Sequence, residues 1–344
     1  MAGTFTREVG IAFGAQTVEG TADATIAGLS GSLTLSDGIV LGDANSGIVS
    51  SGISHSFTRR LNEKPPLSGS FTKQSSDFLE EQIALSFALP LSGPRNDTTA
   101  TPVDGDFVGR VGVEALYRCA GLFGAASGTP GHQYIPIDVD LITAKLFDSG
   151  NYWVIKDIRG DVSINLTPGE IAVATYTLSG IVDSFGAVAF PTFDYEELGT
   201  VSAPVVASVS PVWGFDPEER GWTSLTIGVS NSIESIPDSA SDTGSSFEQT
   251  NREITVSMTI KDTDTDIDFT RTNLVGTTAP TDDLTATIGD AATGSDPALA
   301  VLIEARNLEV RSYTPDVAGT QAASTITAVC TATIVATEFK LENV

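Results

Sequence analysis

The run "KDTDTDIDFT", residues 261–270, places a carboxylate at every second position: Asp262, Asp264, Asp266 and Asp268. Such a density of carboxylate oxygens suits a calcium ion or a pair of acid–base groups. A calcium loop counted from Asp262 needs glycine at position six and a bidentate glutamate at position twelve. Ile267 and Asn273 stand there instead, which excludes an EF-hand. The other paired carboxylates are Glu80-Glu81, Glu196-Glu197 and Glu218-Glu219. Neighbours on a strand point to opposite faces, so none of these pairs can face itself across a cleft, as a glycosidase requires. A distant pair brought together by folding stays open. His55 and His132 are the only histidines, and neither lies near a cysteine or carboxylate pair at zinc-ligand spacing. No G-x-S-x-G elbow, phosphate-binding lysine loop or G-x-G-x-x-G turn occurs. His132 reads as a loop residue. Trp153, Trp213 and Trp222 read as core or interface residues rather than a sugar-stacking platform. The sequence predicts no enzyme, no catalytic or metal-binding residue and no cofactor.

Parity decides what the aspartates do instead. In "REITVSMTI" the apolar residues Ile254, Val256, Met258 and Ile260 are even-numbered, as are the four aspartates. A straight strand would carry four carboxylates onto the core face, where unpaired charge is prohibitive. The chain must turn or bulge around residues 261–265, with Ile267 and Phe269 resuming the core on the other parity. Asp264, Asp266 and Asp268 are thus predicted on an exposed acidic surface.

The charge of the whole chain points the same way. There are 44 acidic and 18 basic residues among 344, a net charge of −26. That balance repels nucleic acid and anionic membranes and excludes ordinary sequence-specific DNA recognition. Cys119, in an apolar helical pattern, and Cys330, in an apolar strand, read as small core residues in a reduced setting. The N-terminal residues carry no secretory-signal pattern, and no apolar run approaches the roughly 20 residues of a membrane-spanning helix.

The elements that must position these residues are mostly strands. "QIALSFAL" sets Ile83, Leu85 and Phe87 on one face, with the period of two of a half-buried strand. "IDVDLITAKLF", "YWVIKDIRGDVSINL" and "EIAVATYTLSGIV" follow, broken by turn chemistry at Asn151 and at Pro168-Gly169. "SLTIGVS", "REITVSMTI", "NLEVRSY" and "STITAVCTATIVAT" repeat the style later, which predicts a β-sandwich or barrel. Helical spacing occurs twice. It appears near 106–123 through Val111, Ala115, Cys119 and Leu122, and near 296–306 behind an Asp296 cap and Pro297. The chain therefore reads as one plan used twice, strands–helix–strands, in domains 1–184 and 205–344 joined by a linker at 185–204.

Two polar segments occupy matching places in the two copies. Residues 57–69 carry Arg59, Arg60 and Lys64; residues 231–251 carry Glu234, Asp238, Asp242 and Glu248 and no cation before Arg252. They read as solvated hairpin loops or, more sharply, as complementary loops that meet between copies of the protein and set their orientation.

"REVGIAFGAQTVEGTADAT" and "GDVSINLTPGEIAVATYTLSGIV", residues 160–182, resemble segments of the tail tube (major tail) proteins of long-tailed bacteriophages. The resemblance implies two tandem tail-tube-like β-sandwich or barrel domains, each with one short packing helix. It implies a virion structural protein, made in the bacterial host cytoplasm. Such subunits form rings that stack head to tail into a hollow tube through which DNA leaves without specific binding. Two tube domains per chain favour a trimeric ring of pseudo-sixfold symmetry, a hexamer being the alternative. The implied partners are the chain itself and the tape measure, tail terminator and distal tail proteins, with no membrane. An acidic lumen would repel the DNA backbone, and Asp264, Asp266 and Asp268 would line it or the outer wall. The competing class is a surface or secreted β-sandwich module that binds carbohydrate or calcium.

Overall fold

The computed structural model describes residues 9–30, 32–33, 39–41, 51–64, 75–91, 116–126, 132–136, 140–189, 191–193, 212–213, 221–237, 245–261, 281–288, 301–318, 321–331 and 338–343. The chain is mainly β. In the first half the elements are β1 (Val9–Ala15), α1 (Ala24–Gly28), β2 (Ser32–Leu33), β3 (Ile39–Leu41), β4 (Ser51–Lys64), β5 (Ser75–Pro90), β6 (Leu122–Ala126), β7 (His132–Pro136), β8 (Ile142–Asp148), β9 (Asn151–Leu166), β10 (Val173–Ala187) and β11 (Thr192–Phe193). The second half has β12 (Val212–Trp213), β13 (Trp222–Pro237), β14 (Ser245–Lys261), β15 (Thr281–Ile288), β16 (Val301–Ala318), β17 (Gln321–Cys330) and β18 (Phe339–Asn343). Apart from the small β2/β11 pair, all of these strands belong to one 16-stranded sheet. Among the described residues no helix is long and apolar enough to cross a membrane.

The strand plan occurs twice. In space the first half runs β4-β5-β10-β9-β8-β1, and the second runs β13-β14-β17-β16-β15-β12, each neighbour antiparallel to the next. Chain order matches as well as spatial order. The repeat extends to single residues. β9 bulges against β8 at Asp157 (φ 53°), and β16 bulges against β15 at Asn307 (φ 50°). Few residues other than glycine adopt this left-handed conformation, and Asp and Asn are the usual exceptions. A side-chain oxygen accepts from the bulged N–H in both places: Gln16 Oε1 at 2.9 Å from Asp157 N, and Asp283 Oδ1 at 2.8 Å from Asn307 N. Aligned on these bulges, Ile83, Leu85, Phe87 and Leu89 of β5 match Ile254, Val256, Met258 and Ile260 of β14, and all eight are buried.

Local chemistry explains the turns. β8 and β9 are joined by Ser149 and Gly150, both at positive φ (49° and 89°), as a type I′ hairpin turn requires. These turn residues immediately precede Asn151, which already belongs to β9. After β9, Pro168 and Gly169 (φ 80°) form the centre of a turn closed by Glu170 N donating to Thr167 O at 3.0 Å, as predicted.

The helices depart from expectation. Of the stretch near 106–123, residues 116–119 form a short helical turn and Leu122 already begins β6; residues 106–115 lie outside the described set. The helix expected near 296–306 is contradicted over residues 301–306, which belong to β16; residues 296–300 lie outside. The apolar run "ALAVLIEA" fits either period. Pairing with both β15 and β18 decides it, turning Ile303 and Ala305 into the core.

The two polar segments are likewise mostly strand. Residues 57–64 continue β4, while 231–237 and 245–251 are the far arms of the β13/β14 hairpin. A long hairpin can hold polar residues in register because its backbone bonds do not depend on side-chain burial.

Candidate assembly interface

β8 spans seven residues and covers only the first part of the sixteen-residue β9. The remaining edge of β9 is taken by the second half of the chain: Val162, Ser163, Ile164, Asn165 and Leu166 pair with Val229, Gly228, Ile227, Thr226 and Leu225 of β13. Apolar residues face apolar residues at three of these positions, and all six side chains are at most 2% exposed. Each such burial is worth about 1.5–3 kcal/mol. The alternate positions pair Ser163 with Gly228 and Asn165 with Thr226, whose Oγ1 donates to Asn165 Oδ1 at 3.1 Å.

A polar latch extends the junction. Asn231 donates its N–H to Asp161 Oδ1 at 2.7 Å and its side-chain amide to the carbonyls of Gly160 (2.9 Å) and Ala120 (3.0 Å). Gln249 Nε2 holds Asn231 Oδ1 at 2.8 Å, and Arg252 donates to Gly121 O at 3.0 Å. Burial raises the Asp161 carboxyl above its usual range, and the Asn231 N–H pulls partly the other way. Burial, and then the Asp161 charge, push the Cys119 thiol up, so it stays protonated. Burial followed by the Glu338 charge takes Cys330 to about 12. Both cysteines are free thiols. A second strand joint links the halves, with β7 lying against β18 at Tyr134–Leu341 and Gln133–Glu342.

The described ones among the predicted contact residues sit on the two hairpins. Arg59 is exposed on β4 and faces Glu81 across the hairpin at 3.8 Å. Arg60 stands in register with Glu80, and Lys64 with Ser75 at the last described pair. Glu234, exposed on β13, stands opposite Glu248 of β14. Residues 57–64 are thus strand rather than loop, with Arg59 and Arg60 in register with Glu81 and Glu80 of β5. Asp238 and Asp242 lie outside the described residues, as do Asp262, Asp264, Asp266 and Asp268; β14 is described as far as Lys261.

One titratable pair was not foreseen. His55 Nε2 lies 3.5 Å from Asp148 Oδ2, with both side chains nearly enclosed. The rings of Phe57 and Trp153 pack around the imidazole at 5.5 and 6.2 Å, so the pair cements β4 onto the sheet. Among the described residues no group of three or more His, Cys, Asp or Glu side chains could hold a metal ion. The β9–β13 junction was also missed. The bulge residues in "KDIRGD" and "ARNLEV" mark equivalent positions of the two halves but not which edges join. No protein-family profile matches the chain, and a search of curated proteins finds no similar sequence.

Proposed function

We propose that this chain is a structural subunit that assembles with copies of itself into stacked rings, as a phage tail tube protein. The carrying observation is the strand plan used twice within one continuous sheet, its halves joined edge to edge at β9–β13. A chain that already joins two like units by strand pairing has the architecture from which a closed ring of such units is built. The net charge of −26 supports a conduit that a polyanion crosses without binding. In this reading three chains give a pseudo-sixfold ring, the rings stack head to tail, and the other tail proteins cap and fill the tube. Negative-stain microscopy of the purified chain tests it. Rings or tubes with a central hole are expected; monodisperse monomer at high concentration would sink the proposal.

A further inference from the structure

Two strand edges that are paired inside the molecule recur without a strand partner among the described residues. β16 has eighteen residues and β15 eight, so beyond Glu309 the side of β16 away from β17 has no partner among the described residues. This is the counterpart of the β9 edge that receives β13. β4, the counterpart of β13, pairs only with β5 among the described residues. We infer that β4 of a second copy of this chain adds to the edge of β16 beyond Glu309, in the register by which β13 adds to β9. The inference rests on the self-assembly reading and deepens it by naming the joining strands.

The side chains fit that register. Alignment through the two bulges and the strand pairings makes Tyr313 the counterpart of Val162 and Phe57 the counterpart of Val229. Tyr313 then meets Phe57, Thr314 meets Ser56 and Pro315 meets His55. An aromatic pair is followed by a hydroxyl pair, as Val162–Val229 is followed by Ser163–Gly228. No like charges oppose each other. Pro315 lacks an N–H and can only accept there, a residue that edge strands tolerate.

Exposure marks the same places. Phe57 is 36% exposed, whereas its counterpart Val229 is 1% exposed. Phe185, at the end of β10, is 73% exposed; its counterpart Leu341, in register with Tyr134 of β7, is 2% exposed. The two exposed aromatic side chains among the described residues thus stand where the internal joints bury aliphatic ones. A joint between different edges is heterologous, so successive copies close into a ring or run on as a filament.

Cysteine cross-linking tests the register. Ser56→Cys and Thr314→Cys are made separately in a Cys330→Ser background, Cys119 being buried. Directly opposite Cβ atoms lie within disulfide reach. Mild oxidation of the mixture should give a covalent dimer, and neither variant alone should. Absence of the mixed dimer, or dimers from one variant alone, overturns the inference. Phe57→Glu, with its folding checked by circular dichroism, should weaken assembly at least tenfold by mass photometry, and assembly as strong as the parent's overturns it too. Rings without the cross-link would refute this joint and leave the ring reading intact. Cross-linked filaments without tubes would keep the joint and refute the tube.

Discussion

Lys145 shows how a charge is held inside this sheet. Its ammonium, 5% exposed, donates to the carbonyls of Ala27 (2.7 Å) and Leu29 (2.6 Å) at the end of α1 and lies 4.5 Å from the centre of the Tyr152 ring. Burial lowers its pKa, while the carbonyls and the ring replace lost water. Asp161 has a more exposed position and a sharper consequence. Its carboxyl titrates higher folded than unfolded, so ionising it opposes folding above the unfolded value, and this penalty vanishes as the pH falls below it. Asp161→Asn keeps an acceptor for the Asn231 N–H and removes the charge. The melting temperature of the variant relative to the parent should therefore be highest near pH 7 and fall towards pH 4. A difference that does not change with pH would contradict this account. Gly160 beside it is fixed by space, since a Cβ there would run into the Thr177 carbonyl.

At the scale of elements, the bulges hold the repeat together. Each inserts a residue that bends a long strand, and beyond each bend lies the edge available for a joint. Asn307, at φ 50°, should accept Gly with little loss. Asn307→Val forces a β-branched residue into the left-handed region and should cost about 1–3 kcal/mol. Urea unfolding of the two variants measures the difference, and equal midpoints would refute the role given to the bulge. β16 also shows why local pattern misled: its first residues suit a helix, yet one flank is claimed by the preceding strand β15 and the other by the distant β18. Burial against β15 and β18 outweighs propensities of a few tenths of a kcal/mol per residue.

For the whole molecule, the two hairpins separate two kinds of contact. The base of β4, through Phe57, belongs to the lateral joint, while Arg59, Arg60 and Lys64 lie further towards the tip. In the assembly proposed above, reversing Arg59 and Arg60 to Glu should leave single rings and shorten their stacks. Folding should survive, because exposed ion pairs contribute only about 0–1 kcal/mol. Tube lengths in electron micrographs check this; unchanged lengths would remove the arginines from ring stacking.

The sequence by itself determined the β class, the alternating core faces of β5, β9, β10 and β14, the Pro168-Gly169 turn and the burial of Cys119, because each rests on neighbours along the chain. Its reading of two similar halves rested on a helix in each, and residues 301–306 of the second belong to β16. Tertiary structure alone decided that β16 is a strand where a helix was expected, that the polar segments extend as hairpin arms, and that β13 lies on β9. Those outcomes depend on which edges remain uncovered once strands of unequal length have paired, and a strand edge is a property of the folded sheet rather than of any stretch of residues.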